Sequence, residues 1–524
     1  MKNNIKNKSI LNKISFFGLL GLILFTASCK KFTELEPLDA ISENVGFENA
    51  ANVELVMNGV YQQAAIGTYN GGGGRGYPFG SAAIQQSEMR GQDMVNMATF
   101  YAFTYEATYS SSSANNVNHW ENLYNLINQA NVFIAGVQKA AAGGVLTADQ
   151  AKSYEGEARF LRALAHHELV INFSKPYADG NGSQPGIPYR DTPINSPASV
   201  QAALLVKRGT VAEDYTKILA DLDFAEANLA PTQPNGYQRA TKGAAIALKT
   251  RVKLHKADWP GVIAEGVKLG ATGNGPYTSP IAAYVLTASP DEPFTSFDNN
   301  KESIFSIGNS TTSNPDVNGS LVSMFAPTSV GARGLVATSP NLYNASYWVA
   351  GDKRKALLQV KGSNGIYYNY KYRLASTNAD WAPILRYAEV LLNVSEAAQR
   401  SGNTSLSLNL LNAVRNRSVP VADQFVTAPG DLLRAILNER RIEFAGEGRR
   451  WADITRLALD PTYGGGIPAK VRNTQVVAAA FDGSTILTPS IAAIPYSDFR
   501  FLWPFPLSEV NSNPTLALEK NPGY

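Results

Sequence analysis

Eight segments of this chain repeat apolar residues at helical spacing, and this pattern restricts the fold more than any other feature. In Thr147 to Phe173, Leu161, Ala165 and Leu169 recur every four residues, a threonine stands at the capping position, and Pro176 follows the end. The eight segments are Asn44 to Ala65, His119 to Val137, Thr147 to Phe173, Val211 to Leu229, Thr241 to Lys256, Ala382 to Arg400, Leu406 to Asn416 and Asp431 to Leu457. They predict a mainly α-helical fold, a scaffold of divergent tetratricopeptide-like helix hairpins without a regular repeat period.

Between these helices lie long segments with little helical pattern and many Gly, Ser, Asn, Thr and aromatic residues. The longest are residues 66–113, which include GTYNGGGGRGYPFG, and residues 260–380. Irregular segments of this length are usually functional, so we expect them to carry the binding site. No Pro- or Ser-rich linker separates the parts, which predicts one domain over residues 29–524. Its expected parts are a helical scaffold at about 44–260 and 381–457, loop-rich ligand-binding segments at about 66–113 and 260–380, and a loop-rich end at 458–524.

Residues 1–28 have the composition of an export signal. Four lysines precede an apolar run from Ile14 to Phe25, which is shorter than the roughly 20 residues that a membrane-spanning helix needs. Small residues then precede Cys29, and because it is the only cysteine, a disulfide framework is not expected. Cys29 is either an ordinary residue near a cleavage site or the lipidated first residue of a bacterial lipoprotein. We favour lipidation because small residues before a single cysteine resemble a lipobox, and several acyl chains anchor a protein stably.

The net charge argues against a nucleic-acid partner. The whole sequence has a formal net charge of +3 and a pI of about 8.6. The export segment contains four lysines and no acidic residue, and without it the net charge is −1. No basic field and no nucleic-acid-binding motif remain.

The stretch DLLRAILNERRIEFAGEGRRWADITRL, residues 431–457, combines helical spacing with a high density of charge. Asp431 can cap the helix, and Gly446 and Gly448 end it before a second short helix from Trp451 to Leu457. Because apolar residues lie within the same run, we expect some carboxylate–guanidinium pairs to be partly buried. A structural ion-pair lattice is the favoured interpretation, and a catalytic carboxylate or an anion site is the alternative.

Part of this stretch, ERRIEFAGEGRRWADITR, resembles the C-terminal signature of the SusD/RagB family, outer-membrane nutrient-binding lipoproteins of glycan-degrading bacteria. The segment from Lys371 to Arg400 resembles an internal motif of that family, and the ending FLWPFPLSEVNSNPTLALEKNPGY resembles its proline-rich tail. The resemblance implies a SusD-like fold, in which a helical scaffold carries ligand-binding loops. It also implies a lipid-anchored outer-membrane protein that faces the cell exterior and hands oligosaccharide to a TonB-dependent, SusC-like barrel.

Catalytic and cofactor motifs are not recognisable in the sequence. Gly71 to Gly74 lacks the strand, the glycine spacing and the Lys-Ser/Thr of a phosphate loop, which favours a flexible loop. His166 and His167 are adjacent on a helix and point about 100° apart, so they cannot chelate a metal as an i,i+4 pair does. A helix-surface or core-edge position is expected for them. With no GxSxG elbow and no distinctive carboxylate pair, we expect a non-enzymatic protein without cofactor or metal.

Aromatic residues in the loops are the remaining candidates for ligand binding. Sugar rings have apolar C–H faces that stack on aromatic rings, while sugar hydroxyls bind planar polar side chains. The predicted ligand-binding residues are Tyr69, Arg75, Tyr77, Tyr101, Tyr105, Tyr347 and Trp348. Further candidates are Phe79, Tyr109 and Tyr343, with Asp93, Asn96, Asp298 and Asn344 as polar partners. Any single aromatic residue of this set is also explained by packing beneath a loop.

Two functions from different classes fit these features. The favoured one is a cell-surface lipoprotein that binds oligosaccharide and delivers it to a partner transporter. The alternative is a peptide- or protein-binding helical-repeat module at the outer membrane, which would present apolar pockets and backbone donors in place of flat aromatic faces. An anchored carbohydrate-active enzyme is a third, weaker interpretation.

Overall fold

A computed structural model describes residues 45–524, and the predicted export segment and Cys29 lie outside these residues. Contacts divide the chain into two compact units, Met1–Val56 and Met57–Tyr524. The described part of the first unit holds the 3-10 helix Val45–Phe47 and the first turns of a longer helix. There the Asn52 side chain donates a hydrogen bond of 2.9 Å to the Val45 carbonyl.

The regular elements are numbered in chain order. The α-helices are α1 Ala50–Ala65, α2 Ser81–Arg90, α3 Ala102–Tyr105, α4 Ala114–Ala142, α5 Ala148–Phe173, α6 Pro197–Ala203, α7 Val211–Asn228, α8 Lys242–His255, α9 Trp259–Lys268, α10 Glu292–Thr295, α11 Leu321–Phe325, α12 Pro340–Tyr343, α13 Lys353–Leu357, α14 Tyr387–Arg400, α15 Thr404–Arg415, α16 Leu432–Glu443, α17 Arg450–Leu457, α18 Leu507–Ser512 and α19 Pro514–Ala517. The strands are β1 Met94–Asn96, β2 Ser303–Ile307, β3 Val336–Thr338, β4 Gln359–Lys361, β5 Tyr367–Asn369, β6 Ala382–Arg386, β7 Gly466–Ile467 and β8 Ile494–Pro495.

The long helices pack in a continuous series. α4 packs on α5, α5 on α7, α7 on α8, α8 on α9 and α9 on α14, and α14 contacts both α15 and α16. Most of these partners follow one another closely in the sequence, as expected for helix hairpins. The mainly helical scaffold predicted from the sequence is therefore confirmed. Among the described residues, no helix is both long enough and apolar enough to cross a bilayer.

The start of α5 shows why the helix boundaries could be predicted. The Thr147 hydroxyl accepts a hydrogen bond of 3.2 Å from the Gln150 backbone N–H, and the Gln150 side chain accepts one of 2.9 Å from the Thr147 N–H. This capping box satisfies two donors that the helix itself leaves free. α7 begins in the same way with Thr210 and Glu213.

The strands form four two-stranded antiparallel sheets: β1 with β3, β2 with β6, β4 with β5, and β7 with β8. In the first of these, Met94 pairs with Thr338 and Asn96 with Val336. The Met97 N–H continues the pairing with a 2.9 Å bond to the Leu335 carbonyl. This sheet therefore joins the two long loop segments that were predicted to be functional.

Three predictions that concern the longer helices were wrong, each for an identifiable physical reason. Residues 382–386 form β6 rather than the start of α14, because β2 offers a pairing edge and the β-branched Ile384 favours a strand. α9 lies where an irregular segment was predicted from Pro260 onward. A proline in the first turn is compatible with a helix start, and the Asp258 side chain caps this one.

α2 is the third case and lies inside the predicted loop segment 66–113. All ten of its residues are buried, so its sequence, SAAIQQSEMR, shows no division into apolar and polar faces. Glu88 accepts a hydrogen bond of 2.8 Å from the Gly448 N–H, and the Ser87 hydroxyl donates one of 2.7 Å to the Gly448 carbonyl. Burial raises the pKa of the Glu88 carboxyl from 4.5 to about 8.

The charged residues of 431–457 form a buried ion-pair network, as favoured from the sequence. Glu443 accepts hydrogen bonds from Arg354 at 2.9 Å, Arg386 at 3.0 Å and Arg417 at 2.6 Å. Burial opposes ionisation of Glu443, but these three guanidiniums hold its pKa well below the ordinary value. Gly446, with a φ of +78°, makes the turn that follows α16.

His166 and His167 are fully buried, so the expected helix-surface or core-edge position was wrong. His166 stacks on Tyr189 with 3.7 Å between ring centroids, and its Nε2 accepts a hydrogen bond of 3.2 Å from the Arg190 N–H. Burial lowers the pKa of His167 to about 3. Within residues 45–524, no group of three or more His, Cys, Asp or Glu side chains is arranged to hold a metal ion.

Candidate functional site

The loop that follows α1, residues 66–80, is attached to α4 by asparagine side chains. Asn122 Oδ1 accepts a hydrogen bond of 2.8 Å from the Thr68 N–H, and Asn122 Nδ2 donates one of 2.8 Å to the Thr68 carbonyl. Asn118 binds Asn70 in a similar way, with bonds of 2.8 and 3.0 Å. Asn118 and Asn122 are four residues apart and share one face of the helix. Three of these four bonds reach backbone atoms of the loop, so the attachment uses only one loop side chain, that of Asn70.

Two buried tyrosines lie in the loop segments beside this attachment. Tyr77 is 0% exposed and Tyr101 is 3% exposed, and their phenol groups lie close enough to influence each other's ionisation. The Tyr77 hydroxyl also bonds the Gln86 side chain and the Asn115 carbonyl. Burial raises the pKa of both phenols, so both are neutral at physiological pH. Tyr77 and Tyr101 together form a buried base between the 66–80 loop and the segment that precedes α3.

Next to this base lies a partly exposed aromatic surface, here called the Phe100 surface and defined by Tyr69, Arg75 and Phe100. The Phe100 ring is 36% exposed and stands edge-on to Tyr101, with 4.8 Å between centroids. Tyr69 lies 5.9 Å from Phe100, and the Arg75 guanidinium lies 5.3 Å from the Tyr69 ring. Phe103, in α3, is 58% exposed. Rings and a planar polar group thus meet the solvent together on this surface.

The segment 314–319 borders this surface. A Cβ added at Gly319 would lie 2.7 Å from the Arg75 backbone, so the two chains approach closely there. The Ser81 hydroxyl donates a hydrogen bond to the Gly319 carbonyl, and Asn318 accepts one of 3.0 Å from Arg333. The second long loop region, 260–380, therefore contributes to the same surface as residues 66–113.

A cavity of about 200 Å³ adjoins the segment 96–106. Its polar lining includes Asn96, Thr99, Glu106, Arg472 and Asn473. Arg472 and Glu106 form an ion pair of 2.6 Å at the solvent edge. Hydroxyl, amide and charged groups therefore line a cavity next to Tyr105.

The structure brings four of the predicted residues together and places the other three elsewhere. Tyr69, Arg75, Tyr77 and Tyr101 form the surface and its base. Tyr105 is 4% exposed and donates a hydrogen bond of 2.7 Å to the Val471 carbonyl. Trp348 is buried beside Tyr343, with 6.0 Å between ring centroids. Tyr347 is half-buried, and the Arg441 guanidinium lies 5.5 Å from its ring.

Most of the further candidates have internal partners. Asp93 is buried and bound to Arg441, and Asn344 donates hydrogen bonds of 2.7 Å to the Ala480 and Thr485 carbonyls. Tyr343 stacks on Tyr367 with 4.5 Å between centroids. Phe79, Asn96 and Tyr109 are buried, and Asp298 is exposed.

Two exposed rings, Phe100 and Phe103, are absent from the residues predicted from the sequence. In the segment FYAFTY, Tyr101 and Tyr105 are four residues apart and both are buried. Phe100 and Phe103 are three apart and belong to the opposite side of the same turn. Helical spacing is the signal that separates the two pairs.

Two family models match this chain. The model described as "SusD family" matches residues 287–524, and the model described as "Starch-binding associating with outer membrane" matches residues 39–254. Together the two matches span most of the sequence.

Comparison with individual proteins also finds SusD-like relatives. SusD-like protein P2 of Formosa agariphila is 24% identical over 503 residues, which cover 85% of this chain and 90% of that protein. The crystal structure of a SusD superfamily protein from Bacteroides fragilis is 26% identical, with a TM-score of 0.73 over 90% of this chain and 99% of that chain. A laminarin-binding SusD-like protein is 18% identical, with a TM-score of 0.64 over 91% and 100% of the two chains, and shows the shared fold.

Proposed function

This chain belongs to the SusD/RagB family, and we propose that it is a cell-surface lipoprotein that binds oligosaccharide nutrients and delivers them to a partner TonB-dependent outer-membrane transporter. The description of the matched N-terminal family model, starch-binding and associating with the outer membrane, supports both the ligand class and the location. The laminarin-binding relative of the same fold supports the ligand class. Binding without chemical conversion of the ligand is part of the proposal.

The observation that carries the proposal is the Phe100 surface. The Phe100 ring is open to solvent, Arg75 supplies a planar donor next to Tyr69, and the Tyr77–Tyr101 pair fixes the base. Such an arrangement stacks on the apolar face of a sugar and binds its hydroxyls. Because the surface is open on one side, only part of a bound glycan would be desolvated, and moderate affinity is expected.

Isothermal titration against a panel of oligosaccharides tests the ligand class. We expect at least one glycan to bind, and we expect Phe100→Ala to weaken that binding roughly tenfold or more, because it removes most of a buried aromatic contact. Phe499→Ala is the matched control: Phe499 is 46% exposed, and it packs on Tyr524 rather than on the loops. The glycan affinity of the Phe499→Ala variant should equal that of the wild type.

The same titration separates the alternatives. Binding of peptides with no response to any sugar would replace this proposal by a peptide-binding module. Release of shorter products during incubation of a bound glycan with pure protein would indicate an enzyme instead.

Delivery to a transporter is tested by co-purification from the native outer membrane. We expect a large β-barrel protein to accompany the wild type, and we expect Cys29→Ala to release the protein from the membrane. Wild type that purifies without a barrel would contradict the delivery step. Unchanged anchoring of Cys29→Ala would contradict lipidation.

A further inference from the structure

A second cavity lies at the solvent-exposed edge of the charged helices α16 and α17. Its volume is about 360 Å³, within the range of small-molecule sites. Three arginines line it, Arg434, Arg441 and Arg450, together with the glycine segment 464–466. None of the residues predicted to bind ligand lines this cavity.

The positive charge at the cavity is only partly balanced. Arg441 Nε lies 3.0 Å from Asp93 Oδ2, and Arg450 Nε lies 3.3 Å from the same oxygen, so one buried carboxylate serves two guanidiniums. Asp453 also lines the cavity, but it is bound to Arg440 at 2.9 Å and Arg456 at 2.8 Å.

Arg434 adds a third guanidinium at the rim of the cavity. Its side chain is 46% exposed, and its carboxylate partner, Asp431, lies 4.0 Å away. The guanidinium is held over the Tyr463 ring at 4.4 Å, and its Nη2 donates a hydrogen bond of 3.0 Å to the Thr462 carbonyl. Arg434 is thus positioned mainly by neutral groups, and because its one carboxylate partner is exposed and 4.0 Å away, its charge is only weakly compensated.

Several guanidinium donors have no acceptor within the described part of the chain. These are Nη1 of Arg434, Nη1 of Arg441 and both Nη atoms of Arg450, whose Nε bonds the Gln92 side chain at 3.1 Å. Guanidinium donors of this kind match the paired oxygens of a carboxylate, phosphate or sulfate.

The Gln92 amide and the Tyr463 phenol add polar groups to the lining, and the rest is apolar or backbone. Ile454, Leu457, Ile467 and Pro468 contribute hydrocarbon surface. At Gly465 an added Cβ would meet no atom within 4 Å, so there is open space at this residue, whereas an added Cβ at Gly464 or Gly466 would meet a backbone oxygen at 2.2 Å. The cavity therefore suits a ligand that carries an anionic group on a body with an apolar face.

We propose that this cavity is an oxyanion site that takes the carboxylate or sulfate group of an acidic sugar residue. Arg434, Arg441 and Arg450 bind the anionic oxygens, and the apolar lining accepts the C–H face of the sugar ring. Binding neutralises the charge that Asp93 leaves unbalanced. The site is separate from the Phe100 surface and would give the protein a preference for acidic over neutral glycans.

Titration with three matched tetrasaccharides tests this inference: a galacturonate tetramer, a sulfated galactose tetramer and a neutral galactose tetramer. We expect at least one acidic ligand to bind more tightly than the neutral one, with an affinity that falls as sodium chloride is raised. Comparison of the two acidic ligands shows whether carboxylate or sulfate is preferred. Arg434→Gln should weaken acidic binding roughly tenfold, as expected for loss of a charged hydrogen bond, and leave neutral binding unchanged.

Arg500→Gln is the matched control, since Arg500 is 40% exposed and ion-paired with Asp498 outside the cavity. Arg441→Lys keeps the charge but loses the planar fork, so its acidic affinity should also fall. Equal affinity of the wild type for all three ligands would overturn the inference. So would equal effects of Arg434→Gln and Arg500→Gln. If Phe100→Ala abolished acidic binding while Arg434→Gln did not, the acidic ligand would belong to the Phe100 surface instead.

Discussion

At the residue scale, Glu88 is a carboxyl group that the fold keeps from ionising. It is fully buried, and although the Gly448 N–H bonds it, burial still raises its pKa from 4.5 to about 8. A folded-state pKa above the unfolded value means that the folded protein binds the proton more tightly. The stabilisation is complete below pH 4.5 and is lost as the pH rises through 8.

Glu88→Gln should remove this pH dependence while keeping the oxygen that accepts from Gly448. We expect the free energy of unfolding of the variant, relative to wild type, to rise by a few kcal/mol between pH 5 and pH 8. Urea titrations at several pH values measure it. The quantity to compare is the difference in unfolding free energy between Glu88→Gln and wild type. Burial also raises the pKa of Asp214 to about 7, which makes the stability of both proteins depend on pH and cancels in the difference.

Asp149→Asn, which changes an exposed carboxylate in the first turn of α5, is the control and should show no such trend. A Glu88→Gln variant whose stability tracks that of wild type from pH 5 to pH 8 would show that the Glu88 carboxyl is ionised in the folded protein.

At the scale of single elements, α4 holds the loop of the proposed binding surface through its asparagines. Asn122 exchanges two hydrogen bonds of 2.8 Å with the backbone of Thr68. Asn128, six residues further on, makes the same type of exchange with Ile194, with bonds of 2.8 and 3.1 Å. One helix thus holds two separate loops by the same chemistry.

Asn122→Ala should loosen the 66–80 loop and weaken glycan binding at the Phe100 surface, because two backbone groups lose their partner. We expect faster amide hydrogen exchange in residues 66–76 and a glycan affinity lower by several-fold. Asn128→Ala is the matched variant. It should speed amide hydrogen exchange near Ile194 without changing glycan affinity. If both variants altered affinity equally, the effect would come from general destabilisation of α4.

The elements also show what the sequence could and could not predict. Long amphipathic helices such as α5 were predicted to within a few residues, because their period and caps are encoded locally. α2 and β6 were missed, because full burial removes the period of the first and pairing with β2 determines the second. In the candidate site, Tyr77 and Tyr101 were both predicted as loop aromatics, but which rings face solvent depends on a turn of four residues, α3.

At the scale of the whole molecule, the buried ion-pair network joins distant parts of the sequence. Glu443 connects α16 to Arg354, to Arg386 at the end of β6 and to Arg417 after α15. All four side chains are at most 7% exposed. Such a network adds little folding stability compared with a well-packed apolar core. Removing one partner, however, leaves an unbalanced buried charge that strongly destabilises the folded state.

Glu443→Gln should therefore destabilise the protein by about 3–5 kcal/mol, since it removes the negative charge shared by three guanidiniums. Denaturant titration followed by circular dichroism measures the change, with an unaltered slope if the folded state stays compact. Glu106→Gln breaks an exposed ion pair with Arg472 and should cost about 1 kcal/mol or less. Equal losses in the two variants would mean that the network is effectively solvated.

The attachment of the 66–80 loop to α4 has a practical consequence for protein engineering. Asn122 and Asn118 hold this loop mostly through its main chain, so the anchoring does not depend on the rings of the proposed binding surface. Libraries that randomise Tyr69, Arg75 and Phe100 while leaving the asparagines intact should yield folded proteins. The scaffold would then serve as a fixed frame with an exchangeable recognition face, from which binders for new sugars can be selected.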